Sequence, residues 1–155
     1  MGAIVHEIEQ EEDTVEEKLV DAIGLGAGIA DRLSELGHPV NSVNVAKGSE
    51  LNPTVLRLRD ELRISSKSFL EMKDCVLPDN EVLAKELVAP RYSFTSSGKL
   101  KVESKDEMKR RGVASPDVAD AFCLTFAGTA GLVTRGGMSR RWQQPIDYPS
   151  GAWIV

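Results

Sequence analysis

The sequence predicts an α/β or α+β domain, and three observations carry that expectation. Apolar stripes at helical spacing alternate with short runs that read as strands. Glycine or proline punctuates most of the changes. A late pair of strands around a glycine turn then interrupts the alternation. With 155 residues, 41% of them hydrophobic, the chain is one domain's length and can bury about 68–70% of its unfolded surface.

In chain order, Ala3 to Ile8 alternates partly and reads as a short strand or a frayed start. Leu19 to Gly24 reads as a buried strand ending at glycine, although Val15, Leu19 and Val20 also fit helical spacing. After Gly24-Leu25-Gly26-Ala27-Gly28, the residues Ile29, Ala30, Leu33 and Leu36 form a helical stripe, with Gly37 at a left-handed C-cap and Pro39 barring continuation. Val40 to Val45 alternates with period two, a strand. Asn52-Pro53 has the chemistry of an N-cap and first helical position, so a long helix is expected to about Lys73. Cys75 to Pro78 reads as a short strand. Asp79 or Asn80 caps a helix that Pro90 ends. Tyr92 to Thr95 and Leu100 to Glu103 form a hairpin around Ser96-Ser97-Gly98. Ser104 and Glu107 make a capping box for a short basic helix closing at Gly112, and Ser115-Pro116 repeats the cap-plus-proline start. Beyond Gly128 no periodicity remains.

Composition excludes several classes. No run approaches the ~18 apolar residues of a membrane span, and Met1 to Gln10 lacks the basic and apolar regions of a secretory signal. Cys75 and Cys123 stand alone in apolar runs, which argues against a disulfide framework or a zinc site and for thiols in a reducing cytosol. The net charge of −5 hides an asymmetry. Residues 1–22 hold eight acids and one base, whereas the remainder has 16 acids and 18 bases. An acidic head thus precedes a mildly basic body, a pattern compatible with nucleic acid but not sufficient to show it.

Three groups of residues are able to carry chemistry. Asp21 ends a buried strand, where open α/β sheets bind ligands; it also suits a cap for the next turn. The glycines at 24, 26 and 28 miss the dinucleotide fingerprint, whose third glycine is replaced by Ile29. Asp117 and Asp120 lie three apart in the first turn of a helix, on one face. That position suits carboxylates because of the helix dipole alone, and it also suits a hard divalent cation. Just before them, Lys99, Lys101, Lys105, Lys109, Arg110 and Arg111 form either a solvated surface or a phosphate track.

The ordered set V-D-x-x-G-x-G (20–26), Y-x-F-x-S-S-G-K (92–99), E-S-K-D-x-M-K-x-R-G (103–112) and S-P-D-x-A-D-A (115–121) resembles the C-terminal nuclease domain of phage terminase large subunits. The resemblance runs from about Leu19 to Ala127. It implies a ribonuclease H-like mixed sheet flanked by helices, with the late hairpin near DNA. It further implies metal-dependent endonucleolytic cleavage of double-stranded DNA, with Mg²⁺ or Mn²⁺ at a two-metal site. Asp21 and Asp120 would then be the metal-binding acids and Asp117 their neighbour. The basic residues at 99, 101, 105, 109, 110 and 111 would hold DNA.

Two departures qualify the resemblance. The family's first catalytic Asp, on an earlier strand, has no counterpart in the twenty residues before Asp21, and no G-x-x-x-x-G-K-[ST] motor motif occurs. The resemblance is thus to an N-terminally truncated form: an excised or truncated gene, a prophage remnant, or one half of a split protein whose second chain would supply the missing acid and motor. The competing expectation is an inactive packaging or prophage remnant that binds DNA or a phage partner. The chain divides into an acidic segment (1–18), a nuclease-like domain (19–127) and a basic, aromatic tail (128–155), whose family counterparts engage the portal or procapsid. A location in the host cytoplasm follows from the same resemblance.

Overall fold

The computed structural model describes residues 2–10, 15, 17–49, 52–73 and 75–128. It is a mixed α/β fold built on two small sheets flanked by helices. The first sheet pairs β1 (Leu19–Asp21) with β2 (Asn41–Val43) in parallel, Leu19 opposite Asn41 and Asp21 opposite Val43. Helix α2 (Leu25–Glu35) makes the crossover between them, with α1 (Gly2–Gln10) preceding β1. The second sheet is the antiparallel hairpin of β3 (Tyr92–Phe94) and β4 (Leu100–Val102). Between the sheets run α3 (Leu58–Glu71) and α4 (Glu81–Val88); after the hairpin come α5 (Lys105–Arg110) and α6 (Asp117–Leu124).

The core joins the parallel sheet to the helices. Val45, Leu62 and Cys123 are buried together, with Val43, Leu58, Leu87 and Phe122 packed against them. Phe126 closes one side through edge-on contacts with Phe69 and Phe122, centroids 5.5 Å apart in each case. Helix α6 packs against α3 and α4 and also touches β1, so the final helix is tied to the first strand.

Local chemistry accounts for several boundaries. Asn80 accepts hydrogen bonds from the Val82 and Leu83 amides and starts α4. After α2, Gly37 takes φ 87°, which lets His38 N–H reach the Leu33 carbonyl at 2.9 Å. Gly26 has a different function: a Cβ there would strike the Asp21 carbonyl oxygen, so only glycine lets α2 seat this close to the end of β1.

Four expectations are corrected. Residues 3–8 are helical, not a strand. The long helix starts at Leu58 rather than after Pro53, because Val55 and Leu56 are taken up in pairing with β4: Leu56 N–H donates to Leu100 O at 2.9 Å and Leu100 N–H to Thr54 O at 2.8 Å. Asn52 caps only a local turn, accepting from Thr54. Residues 75–78 form no strand, and Val76 is 97% exposed. At α6 the residue before the helix is Pro116 and Ser115 does not cap it; its hydroxyl donates instead to Asp117 at 2.7 Å. Of the two cysteines, Cys123 is buried and Cys75 half-buried, and both are free thiols. The tail beyond Gly128 lies outside the described residues.

The Gly26 contact yields a prediction. Gly26→Ala should lower stability by about 1–3 kcal/mol, the usual cost of forcing atoms into a filled space. Gly28→Ala in the same helix, whose Cβ would meet open space, should hold or raise the melting temperature; thermal denaturation of the two variants side by side measures the difference.

Candidate functional site: an acidic and basic cluster beside the parallel sheet

The site is built from four elements. Strand β1 delivers Asp21 at its C-terminal end, where it is exposed and accepts a hydrogen bond from Ile23 N–H at 3.1 Å. Helix α6 brings Asp117 and Asp120 on its first turn, α5 brings Lys105, and α3 brings Arg59 and Arg63. The carboxylate of Asp120 is occupied on both oxygens. Its Oδ1 accepts from Arg63 Nη2 at 2.6 Å and faces Arg59 Nη2 at 3.6 Å, while Oδ2 lies 3.1 Å from Lys105 Nζ. Lys105 also donates to Asp117 at 2.8 Å.

Burial ranks these contacts. The Arg63 side chain is only 7% exposed, so its guanidinium requires a counter-charge and Asp120 supplies it. The Lys105–Asp117 pair is open to solvent and contributes little. Burial alone would depress the Lys105 ammonium, but its hydrogen bonds to Asp117 and Asp120 outweigh that and raise it above its ordinary pKa. Asp117 is lowered, first by Lys105 and then by the Ser115 hydroxyl.

Sequence reasoning singled out Asp21, Asp117, Asp120 and Lys105 but not Arg59 and Arg63, which the structure places against Asp120. The spacing of 59, 63 and 66 places these residues on one face of α3, which reads as solvated in the sequence and turns toward the core in the structure. The structure brings Asp117, Asp120 and Lys105 together directly. Asp21 stands on an element in contact with α6 but bonds to its own loop.

The six expected DNA-holding residues divide by engagement. Lys101 pairs with Glu107 at 2.9 Å, and Arg111 pairs with Glu103 at 2.6 Å while also donating to Ala89 O. Lys105 faces the acids of α6. Lys99, Lys109 and Arg110 are exposed on the hairpin turn and on α5. The hairpin itself is anchored by Asp60, 2% exposed, whose Oδ1 accepts from Val102 N–H at 3.0 Å. Burial pushes the Asp60 carboxyl up, an effect only partly offset by that hydrogen bond.

Among the described residues, no group of three or more His, Cys, Asp or Glu side chains is arranged to hold a metal ion. With Asp120 already neutralised by cations, the described residues do not fit a two-metal site on their own.

The mixed α/β fold, with a strand ending beside an acid-bearing helix and a hairpin after it, is similar in fold to solved nuclease domains of a viral large terminase subunit. The particular match is the nuclease domain of the large terminase subunit of bacterial virus Sf6, at 21% identity and TM-score 0.58, covering 72% of this chain and 65% of that one. A point mutant of that domain with manganese gives 22% identity and TM-score 0.60, covering 72% and 66%. The mutant with calcium gives 22% and 0.61, covering 72% and 65%. The chain thus spans just under two thirds of those domains' length. No protein-family model and no curated protein matches it. No helix among the described residues is long and apolar enough to cross a membrane.

Two predictions follow from the cluster. Asp120→Ala strands a buried guanidinium and should cost about 3 kcal/mol, whereas Asp117→Ala should stay within about 1 kcal/mol; urea titrations of both variants measure the contrast. The capping box of α5 gives the pH dependence. Glu107 is lowered from 4.5 to about 2, first by the Ser104 amide, then by the Ser104 hydroxyl and by Lys101. A lowered carboxylate stabilises fully above its unfolded value and loses that contribution as pH falls, so α5 should fray between about pH 4.5 and 2. Amide exchange across α5 should show this in the native chain but not in Glu107→Gln.

Proposed function

We propose that this chain is a nuclease-type domain of a viral DNA-packaging enzyme, acting on double-stranded DNA by metal-dependent phosphodiester hydrolysis. The observation that supports it is the setting of Asp21 at the end of β1, against the helix that carries Asp120, within a fold shared with a terminase nuclease domain. Asp21 and Asp120 are the acids of this reading, with Mg²⁺ or Mn²⁺ as the metal that would activate water and stabilise the leaving oxygen. Because the described residues lack a complete donor set, cleavage in this reading draws a further carboxylate from a second chain or from outside those residues.

The chain's own residues act by binding and orientation. Arg63 fixes the Asp120 carboxylate through a short, buried, charge-assisted hydrogen bond. Lys105, held between Asp117 and Asp120, keeps its proton and positive charge at the mouth of the cluster. Lys99, Lys109 and Arg110 face solvent, where phosphates are contacted without reading sequence. In this reading the protein works in the host cytoplasm, and its tail engages the portal or procapsid.

A second reading, DNA binding without cleavage, is favoured by one observation: both oxygens of Asp120 already face protein cations. Supercoiled plasmid with manganese separates the two. The nuclease reading expects nicking that Asp21→Asn abolishes while duplex affinity is retained. Binding without nicking supports the second reading, and absence of duplex binding rejects both.

A further inference from the structure

An apolar groove opens beside the start of β1, the opposite end of that strand from Asp21. It is lined by Ala3, Ile4, Glu7 and Ile8 of α1 and by Val15 and Lys18 just before β1. Its volume is about 530 Å³, within the ~300–1,000 Å³ of sites that take a large organic group. Ile4 is 40% exposed and Val15 39%, and α1 buries none of its residues. A nine-residue helix is marginal in water unless its apolar face is packed. This face needs a cover.

The chain itself carries a fitting one. Gly128 is buried against the segment that lines the groove: a Cβ there would strike the Glu17 carboxylate and come within 3.1 Å of the Leu19 side chain. Lys18 lies between these two. The tail, 129–155, thus starts next to the groove, and Trp142 follows 14 residues after Gly128, a span that can reach ~46 Å when extended. Charge selects the portion of the tail. Helix α1 carries Glu7 and Glu9 with no Lys or Arg, and residues 1–22 hold eight acids to one base. In the tail, Arg140 and Arg141 immediately precede Trp142, and Ile146 and Tyr148 follow, whereas Trp153 has no basic neighbour. Tryptophan and arginine are the side chains that most often anchor such contacts. Covalent attachment also gives this segment an effective concentration of about millimolar, an advantage that a second copy or a separate partner lacks.

We propose that the Arg140–Tyr148 segment docks in cis in the α1 groove, with the Trp142 indole on Ile4, Ile8 and Val15 and the two arginines toward the acids of α1. This goes beyond the proposed function: a tail that engages a portal or procapsid first has to leave the groove. The test is tryptophan fluorescence of the full chain carrying Trp153→Phe, which leaves Trp142 as the sole indole. Its emission should be blue-shifted, shielded from acrylamide and unchanged on dilution. Ile4→Lys, at an exposed position, should move the emission to the red and raise the quenching constant several-fold, with helix content retained by circular dichroism. Val15→Lys should do the same from outside α1. Arg140→Glu combined with Arg141→Glu, which leaves the described core untouched, should act likewise. In the converse chain, Trp142→Phe, the emission of Trp153 should ignore all of these changes. A Trp142 that is exposed from the outset, or shielded yet indifferent to the groove and arginine variants, overturns the proposal, as does a Trp153 that responds equally. Shielding that disappears on dilution overturns it in favour of a second copy as the occupant.

Discussion

The buried guanidinium of Arg63 is the constraint around which this fold is organised. Removing a guanidinium from water costs several kcal/mol unless a counter-charge and hydrogen bonds replace the lost hydration. Asp120 provides the first of these at 2.6 Å, and the Glu86 carbonyl lies 3.4 Å away. That one carboxylate thereby ties α3 to α6, and through Lys105 it also reaches α5. Because α6 touches β1 and packs on α4, the pairing locks the order of the layers as well as stabilising them. The Ala119 amide, near the start of the same helix, is taken up by Glu86 of α4 at 2.9 Å. Charge and core packing therefore specify the same interface.

The charged first turns of α3 explain how the hairpin is held. Asp60 and Glu61 are buried, which is unusual for a helix start, and each has a specific partner beyond the helix: Asp60 meets the Val102 amide and Glu61 accepts from the Ser49 hydroxyl at 2.6 Å. The Arg59 guanidinium adds a bond to the Glu103 carbonyl at 3.0 Å. Asp60 works against burial, since its raised carboxyl favours the protonated form: its contribution is fully present below the unfolded value of 3.8 and declines as pH rises through the higher folded value. At neutral pH this anchor therefore has a cost, which burial of Val55, Leu62, Leu100 and Val102 offsets.

What the sequence made legible were the features whose chemistry is local. The Asn80 cap, the Ser104–Glu107 box, the Gly37 turn and the hairpin around Ser96-Ser97-Gly98 depend on neighbours within a few residues, and the structure contains them. The failures share a different cause. Asn52-Pro53 has the right chemistry to begin a helix, but pairing of 54–56 with Leu100, more than forty residues away, claims those backbone groups first. Ile4, Val5 and Ile8 suit a strand and equally fit one helical face. At the site, Asp21 and Asp120 stood out as acids near element ends, whereas Arg59 and Arg63 were masked because interior helical charge reads as a solvated face. Only the fold reveals that this face turns inward.

The contact between Cys123 and Ser66 has a practical consequence. The thiol sits 3.3 Å from the Ser66 hydroxyl at the interface of α3 and α6, and burial pushes its pKa up. A protonated, enclosed sulfur is a poor nucleophile, so alkylating reagents reach it only when the two helices part. With Cys75 replaced by serine, the labelling rate of Cys123 becomes a clock for the opening of that interface, readable in dilute solution on the unmodified core.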